Sequence, residues 1–257
     1  MNIIGIIPAR MGSSRFPGKP LATIAGMPMI EHVYKRVVAS DKLAGVYVAT
    51  CDAEIKEVVE SFGGKAVMTK DSHERASDRV AEAMLKIEEA TKERVDIPVM
   101  IQGDEPLVFP EMIAEAVDPM LEDARILVTN LMGSLKSKQE QEDRNEIKVV
   151  IDKEDNALYF SREPIPSKSK TTADIAVYKQ VCIIPFRREF LLEFNALAQT
   201  PLEIIESIDM LRVLENGRKV KMVKTQFETY SVDTKEDLKR AERVMLKDYL
   251  YQGYKIK

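Results

Sequence analysis

The chain has 257 residues, with 38 Lys and Arg against 42 Asp and Glu and a net charge of −4. This near-balance excludes a general nucleic-acid or membrane-surface role driven by charge, so any anion binding must come from local basic clusters. Only Cys51 and Cys182 are present, far apart and without metal-ligand spacing. That excludes a disulfide framework and fits a reducing compartment, with the cytoplasm as the default.

The length is sufficient to bury a sizeable core in one large α/β domain. The opening MNIIGIIPAR has an apolar run but no basic region before it and no small-residue cleavage site after it, so residues 2–7 read as a first strand. A loop with glycine and proline follows. Ile30, Val33, Tyr34, Val37 and Val38 then keep the i, i+3, i+4, i+7, i+8 spacing of an amphipathic helix. Residues 46–50 restart the strand pattern, Ile55, Val58, Val59 and Phe62 mark a helix, and residues 66–68 a short strand. Val80, Ala83, Met84 and Ile87 mark a third helix, and residues 97–101 a buried strand. This alternation is the signature of βαβ units, so the expected fold is α/β with a mainly parallel central sheet flanked by helices. No run is long enough to span a membrane.

The second half is less regular. Strands are expected at 147–151, 157–160 and 177–185, with a polar loop at 167–174 between the last two. Helices follow at 188–197 and 202–215, the latter ended by Asn216-Gly217, and a strand at 219–223. Thr234 caps the last helix through the capping-box pattern Thr234-Lys235-Glu236-Asp237. The tail with Tyr249, Tyr251 and Tyr254 reads as an extension of that helix. The segment from about 135 to 217 is expected to form a smaller, β-rich lobe within a single 1–257 domain.

The densest chemical signal is the loop Pro8-Ala9-Arg10-Met11-Gly12-Ser13-Ser14-Arg15-Phe16-Pro17-Gly18-Lys19-Pro20, which gathers three cations and two hydroxyls after the first strand. Glycines let the backbone approach phosphate oxygens, while Arg10, Arg15 and Lys19 supply charge-assisted hydrogen bonds to a triphosphate. The Gly-Lys-Ser/Thr ending of a Walker loop is absent. A solvated basic turn is the alternative reading. Asp104 closes the apolar strand 97–101 in Gln102-Gly103-Asp104-Glu105-Pro106, a costly place for a carboxylate unless it is paired or bound to metal. Open α/β sheets bind their ligands at such strand ends. Asp233 stands before the last helix, where a helix cap is the alternative. Together the two carboxylates suit Mg²⁺, which prefers oxygen and bridges one or two carboxylates to substrate phosphates.

Five segments, PARMGSSRFPGKPL, MPMIEHV, QGDEP, ALYFSR at 157–162 and SVDTKEDL at 231–238, together resemble the CMP-Kdo (3-deoxy-manno-octulosonate) synthetases in order and spacing across nearly the whole chain. The basic loop alone indicates only the wider sugar-acid cytidylyltransferases. The resemblance implies a nucleotidyltransferase fold, a homodimer, CTP as donor, a small sugar acid as acceptor, Mg²⁺ as cofactor, and neither nucleic-acid nor membrane partners. By the same resemblance Pro8, Ala9, Arg10, Ser13, Ser14, Arg15, Lys19, Arg79 and Gln102 would hold the nucleotide. Gln102, Arg162, Gln180, Glu206 and Asp209 would line the sugar side, and Asp104 and Asp233 would bind metal. Lys19, Arg10 and Asp104 would carry catalysis.

The sugar side departs from the family. Where these synthetases read His-Leu-Gly-Ile-Tyr, this chain has Gln180-Val181-Cys182-Ile183-Ile184, and Asp209-Met210 stands where an acid and glutamine are expected. Ser167 replaces a tryptophan. Ile184 and Met210 offer no hydrogen bond to a sugar hydroxyl, and a buried unpaired hydroxyl costs about 1–3 kcal/mol. The acceptor is therefore Kdo, or a related amino-Kdo, nonulosonate or other 2-keto acid, and a non-catalytic nucleotide binder is the reading from another class. His32 reads as a helix-packing residue, His73 as a loop residue without a second histidine for metal, and Cys182 as a buried thiol.

Overall fold

A computed structural model describes residues 1–12, 16–167, 169–170 and 175–255. Ser13, Ser14 and Arg15 of the basic loop, and residues 168 and 171–174 of the expected polar loop, lie outside the described residues. The chain forms two compact units, Met1–Ala114 with Thr229–Lys257, and Glu115–Glu228.

In the first unit β1 (Ile3–Ala9) leads through a 3₁₀ turn at Lys19–Leu21 to a short hairpin, β2 (Thr23–Ile24) and β3 (Met27–Pro28). Then come α1 (Met29–Val38), β4 (Gly45–Thr50), α2 (Ala53–Ser61), β5 (Ala66–Met68), α3 (Ala76–Thr91) and β6 (Ile97–Ile101). The strands β6, β1, β4 and β5 lie side by side, all parallel, with Ile3 opposite Ile97, Ile4 opposite Gly45 and Val48 opposite Ala66. Every residue of β1 and of β6 is buried, as expected of strands covered on both faces. The predicted elements of this half all form, with ends shifted by a few residues. The sequence reading did not include the hairpin or α4 (Pro110–Glu122).

The second unit holds the antiparallel-rich sheet. It contains β7 (Thr129–Leu135), α5 (Lys138–Glu142), β8 (Lys148–Ile151), β9 (Ala157–Ser161), β10 (Val177–Val181), β11 (Ile183–Pro185), α6 (Arg188–Ala196), α7 (Pro201–Glu206), α8 (Met210–Glu215) and β12 (Lys221–Lys224). Five of these strands lie in the order β12-β7-β10-β8-β9, and only β12 with β7 is parallel. The strand expected at 177–185 is interrupted at Cys182, whose side chain is only partly buried.

The helix expected at 202–215 is divided. Ser207 takes a left-handed backbone with φ 54°, which ends α7. The break is bridged by a buried bidentate ion pair: Arg212 donates from Nε to Glu203 Oε2 at 2.7 Å and from Nη2 to Glu203 Oε1 at 2.6 Å. Arg212 Nη1 also donates to the carbonyls of Phe194 and Leu197. Removing one partner leaves a buried charge uncompensated, so Glu203→Ala is expected to destabilise the second unit by about 3–5 kcal/mol. Urea unfolding with a probe in this unit measures the loss.

The chain returns to the first unit with α9 (Lys235–Met245) and α10 (Tyr249–Tyr254). Thr234 and Asp237 form the capping box expected from sequence. The tail does not extend α9: Asp248 starts a new helix by accepting the Tyr251 N–H at 2.9 Å. Tyr251 and Tyr254 pack against α1, where His32 is fully buried. His32 Nε2 donates to the Ile24 carbonyl at 2.8 Å, so Nδ1 accepts from the Tyr254 hydroxyl at 2.9 Å and the ring is neutral. Burial lowers its pKa below 6.5, opposed by the Ile24 carbonyl and Glu31 and assisted by Arg36 and Lys35. The unfolded chain therefore takes up this proton first as pH falls, and His32's contribution to stability is full above about pH 6.5 and declines below it. Urea midpoints measured from pH 7.5 to 5 should fall with acid, and His32→Gln should flatten that slope.

Candidate active site

Lys19 lies in the 3₁₀ turn that follows Gly18, whose φ of 73° suits a residue without Cβ. The turn is tied back to the start of the basic loop by the Gly18 N–H donating to the Met11 carbonyl at 3.1 Å. Met11 N–H in turn donates to Asp52 Oδ2 at 2.8 Å. Asp52, at the end of β4, thus anchors a loop that sequence reasoning did not connect to it; the available signal was an acid just past a strand end.

The Lys19 ammonium lies 2.7 Å from Asp104 Oδ2 and 3.3 Å from Asp233 Oδ1. Asp104 follows β6 and Asp233 precedes α9, and the Val232 N–H donating to the Asp104 carbonyl at 2.9 Å holds the two segments side by side. The convergence that spacing could not show is thus built by one backbone bond and one shared cation. Burial opposes the charge on Lys19, yet the two carboxylates together hold its pKa above the ordinary value. The helix-cap alternative for Asp233 does not apply, because Thr234 caps α9.

Among the described residues no cluster of three or more His, Cys, Asp and Glu could hold a metal ion. Two hard carboxylate oxygens held on one cation do fit a divalent ion whose remaining ligands are water and substrate phosphate. His73 pairs with Glu82 rather than with a second metal ligand.

Pro8 and Ala9 are buried in β1, and Arg10, at the strand's end, is exposed. Gln102 is partly buried just after β6. Arg79, on α3, is 3% exposed. Its Nη1 donates to the Thr69 hydroxyl and the Lys70 carbonyl, while its Nη2 is buried with no partner among the described residues. An unsatisfied buried guanidinium nitrogen is expensive unless a ligand meets it.

In the second unit the structure joins two predicted sugar-side residues to one another. Glu206 accepts from the Ser161 hydroxyl at 2.7 Å, the Tyr159 hydroxyl at 3.3 Å and the Arg162 N–H at 2.9 Å. Arg162 donates to the carbonyls of Glu206, Ser207 and Arg144. The fully buried Lys148 ammonium donates to the carbonyls of Asp143, Glu146 and Arg162, pinning the same corner. Gln180 donates its amide N–H to Asn130 Oδ1 at 2.6 Å. Asp209 is partly buried at the start of α8, whereas Ile184 and Met210 are buried in the unit's core.

A basic loop, a strand-end carboxylate paired with one before a helix, and a parallel sheet define a nucleotidyltransferase site. A sequence model of the cytidylyltransferase family matches residues 4–221, and the chain belongs to that family. A 3-deoxy-manno-octulosonate cytidylyltransferase of Geobacter metallireducens is 44% identical over 248 residues, covering 93% of this chain and 95% of the relative. One from Syntrophus aciditrophicus is 43% identical over 245 residues, covering 95% and 98%. The solved structure of CMP:2-keto-3-deoxy-manno-octonic acid synthetase complexed with CTP superposes with a TM-score of 0.87 at 35% identity, covering 96% of this chain and 99% of that one. Within the cytidylyltransferases this chain therefore stands among the CMP-Kdo synthetases, in agreement with the resemblance and the α/β fold read from its motifs.

Proposed function

We propose that the chain transfers CMP from CTP to the anomeric hydroxyl of Kdo, with Mg²⁺ as its metal, in the cytoplasm and as a homodimer. The observation that carries the chemistry is the Lys19 ammonium held between Asp104 and Asp233. The anomeric oxygen forms a bond to the α-phosphorus, the bond from that phosphorus to the bridging oxygen breaks, the hydroxyl proton is released and pyrophosphate leaves.

No covalent intermediate on the protein is required. Asp104 and Asp233 would hold the metal, which when bound supplies charge neutralisation at the phosphate oxygens. Lys19, Arg10, Ser13, Ser14 and Arg15 would orient the triphosphate and offset charge building on the leaving oxygen. The unpartnered Arg79 Nη2 would donate to the nucleotide, and Gln102 would contribute to the same binding. Arg162, Glu206, Gln180 and Asp209 would shape the acceptor side. Pyrophosphate release from CTP with a panel of 2-keto sugar acids tests the reading: the highest kcat/KM is expected for Kdo, and no release with any acid would sink it.

A second acceptor, such as an amino-Kdo or another 2-keto acid, is favoured by one observation. Gln180 stands where the family has histidine, and its amide is already spent on Asn130. A higher kcat/KM for such an acid in the same panel decides for it.

For the dimer, Leu158, Leu202, Ile204 and Ile205 of the second unit are exposed, Ile205 at 78%. Apolar side chains on α7 and β9 suit burial against a second copy. Ile205→Asp is expected to shift sedimentation toward the monomer; unchanged sedimentation places the interface elsewhere.

A further inference from the structure

The hairpin that follows Lys19 turns through Ala25 at φ 48° and Gly26 at φ 87°, positive φ at both central residues as in a type I′ turn. Gly26 accepts this freely. Ala25 does not, because its Cβ crowds the backbone in the left-handed region. Such strain persists only where surroundings enforce it, and here the C-terminal helices do so at both of the residue's backbone groups. The Ala25 N–H donates to Glu242 Oε1 of α9 at 2.9 Å, and its carbonyl accepts from the Tyr251 hydroxyl of α10 at 2.9 Å.

The preceding Ile24 carbonyl accepts from His32 Nε2, whose Nδ1 accepts from Tyr254; Tyr254 in turn accepts from Arg36 Nε at 3.0 Å. Arg36 is ion-paired with Asp248 at the start of α10. The strained turn is thus held from three directions by residues remote from the phosphate loop. It lies four residues beyond the 3₁₀ turn at Lys19–Leu21, and the Met29 N–H donating to the Ala22 carbonyl at 2.9 Å closes the hairpin's base against that turn.

We propose that Tyr251 and Tyr254 of α10 are positioning residues for Lys19, acting by enforcing the left-handed turn at Ala25 so that the ammonium stays on the Asp104 and Asp233 carboxylates. The inference rests on the cytidylyl-transfer reading of that site. The proposed route runs through the hydroxyl bonds to the hairpin, and because the rings also share an apolar cluster with Leu107 and Val232, the test removes the hydroxyls and keeps the rings.

Replacing both tyrosines by phenylalanine keeps the rings and deletes the two hydroxyl donors. At a temperature where the variant is fully folded, Tyr251→Phe with Tyr254→Phe is expected to lower kcat about tenfold, since small misplacements of a catalytic group are costly in rate. The acceptor KM should not change, and hydrogen exchange across residues 16–29 should rise. Ala25→Gly added to this background should restore both kcat and protection, because glycine adopts the turn without enforcement. A tyrosine acting only in packing α10 would not be rescued at position 25. Wild-type kcat in the double variant overturns the proposal, and so does a loss that Ala25→Gly leaves unrepaired. Wild-type turnover in the same assay tests the cytidylyl-transfer reading separately, and the exchange measurement does not depend on it.

Discussion

Asp104→Asn is expected to lower kcat about 10²–10³-fold while moving the melting temperature by only a few degrees. The amide has the carboxylate's shape and still accepts from the Lys19 ammonium, which keeps Asp233 as its second partner at 3.3 Å. The ion pair is partly open to solvent, with Asp104's side chain 27% exposed, so its worth to folding is near the surface-pair range of about 1 kcal/mol or less. Turnover has no such second partner. Neutralising a group preorganised against the charge of the transition state costs on the order of 10²–10³ in rate. Pyrophosphate release and a thermal melt on the same preparation separate the two effects. Near-normal turnover would remove Asp104 from the metal site.

Lys19→Met should move two measurements in opposite directions. Turnover is expected to fall about 10²–10³-fold, because a triphosphate loses a fixed charge-assisted donor. Binding of a divalent cation to the nucleotide-free protein should strengthen, because the ammonium that satisfies Asp104 and Asp233 is gone and two neighbouring carboxylates then repel each other until a cation joins them. Titration with Mn²⁺, followed by loss of the free-ion resonance signal, measures the second change without any reaction. Unchanged Mn²⁺ affinity would mean that Lys19 and the metal do not share those oxygens.

The parallel half of the fold was legible because its rules are local. Buried strands such as Ile97–Ile101 are unbroken apolar runs, and α1 repeats its apolar face every third and fourth residue. The second half resisted for reasons that are not local. Leu202 to Glu215 keeps a helical pattern throughout, yet Ser207 turns left-handed and the Glu203 to Arg212 pair seals the break, a contact visible only after folding. The tyrosine tail reads as a helix extension, whereas Asp248 is drawn into an ion pair with Arg36 and a cap on Tyr251 that together restart the helix. In the site, residue types announced Lys19, Asp104 and Asp233, but their convergence depends on the bond from Val232 to the Asp104 carbonyl. Asp52 and the clamp on Ala25 gave no sequence signal beyond an acid after a strand and an Ala-Gly turn.

The division of the first unit into Met1–Ala114 and Thr229–Lys257 has a consequence for how the protein is made. Lys19 and Asp233 are 214 residues apart, so the ribosome has produced the basic loop, the parallel sheet and the whole of Glu115–Glu228 before the second carboxylate exists. Val232, Ala241, Met245 and Tyr251 complete the apolar cluster around Ile24 and Met29, and they too are made only after Glu228. A nascent chain that has not yet reached Thr229 therefore has its phosphate loop without a matching carboxylate pair and an apolar surface without its cover. Both are supplied together, by the segment Thr229–Lys257.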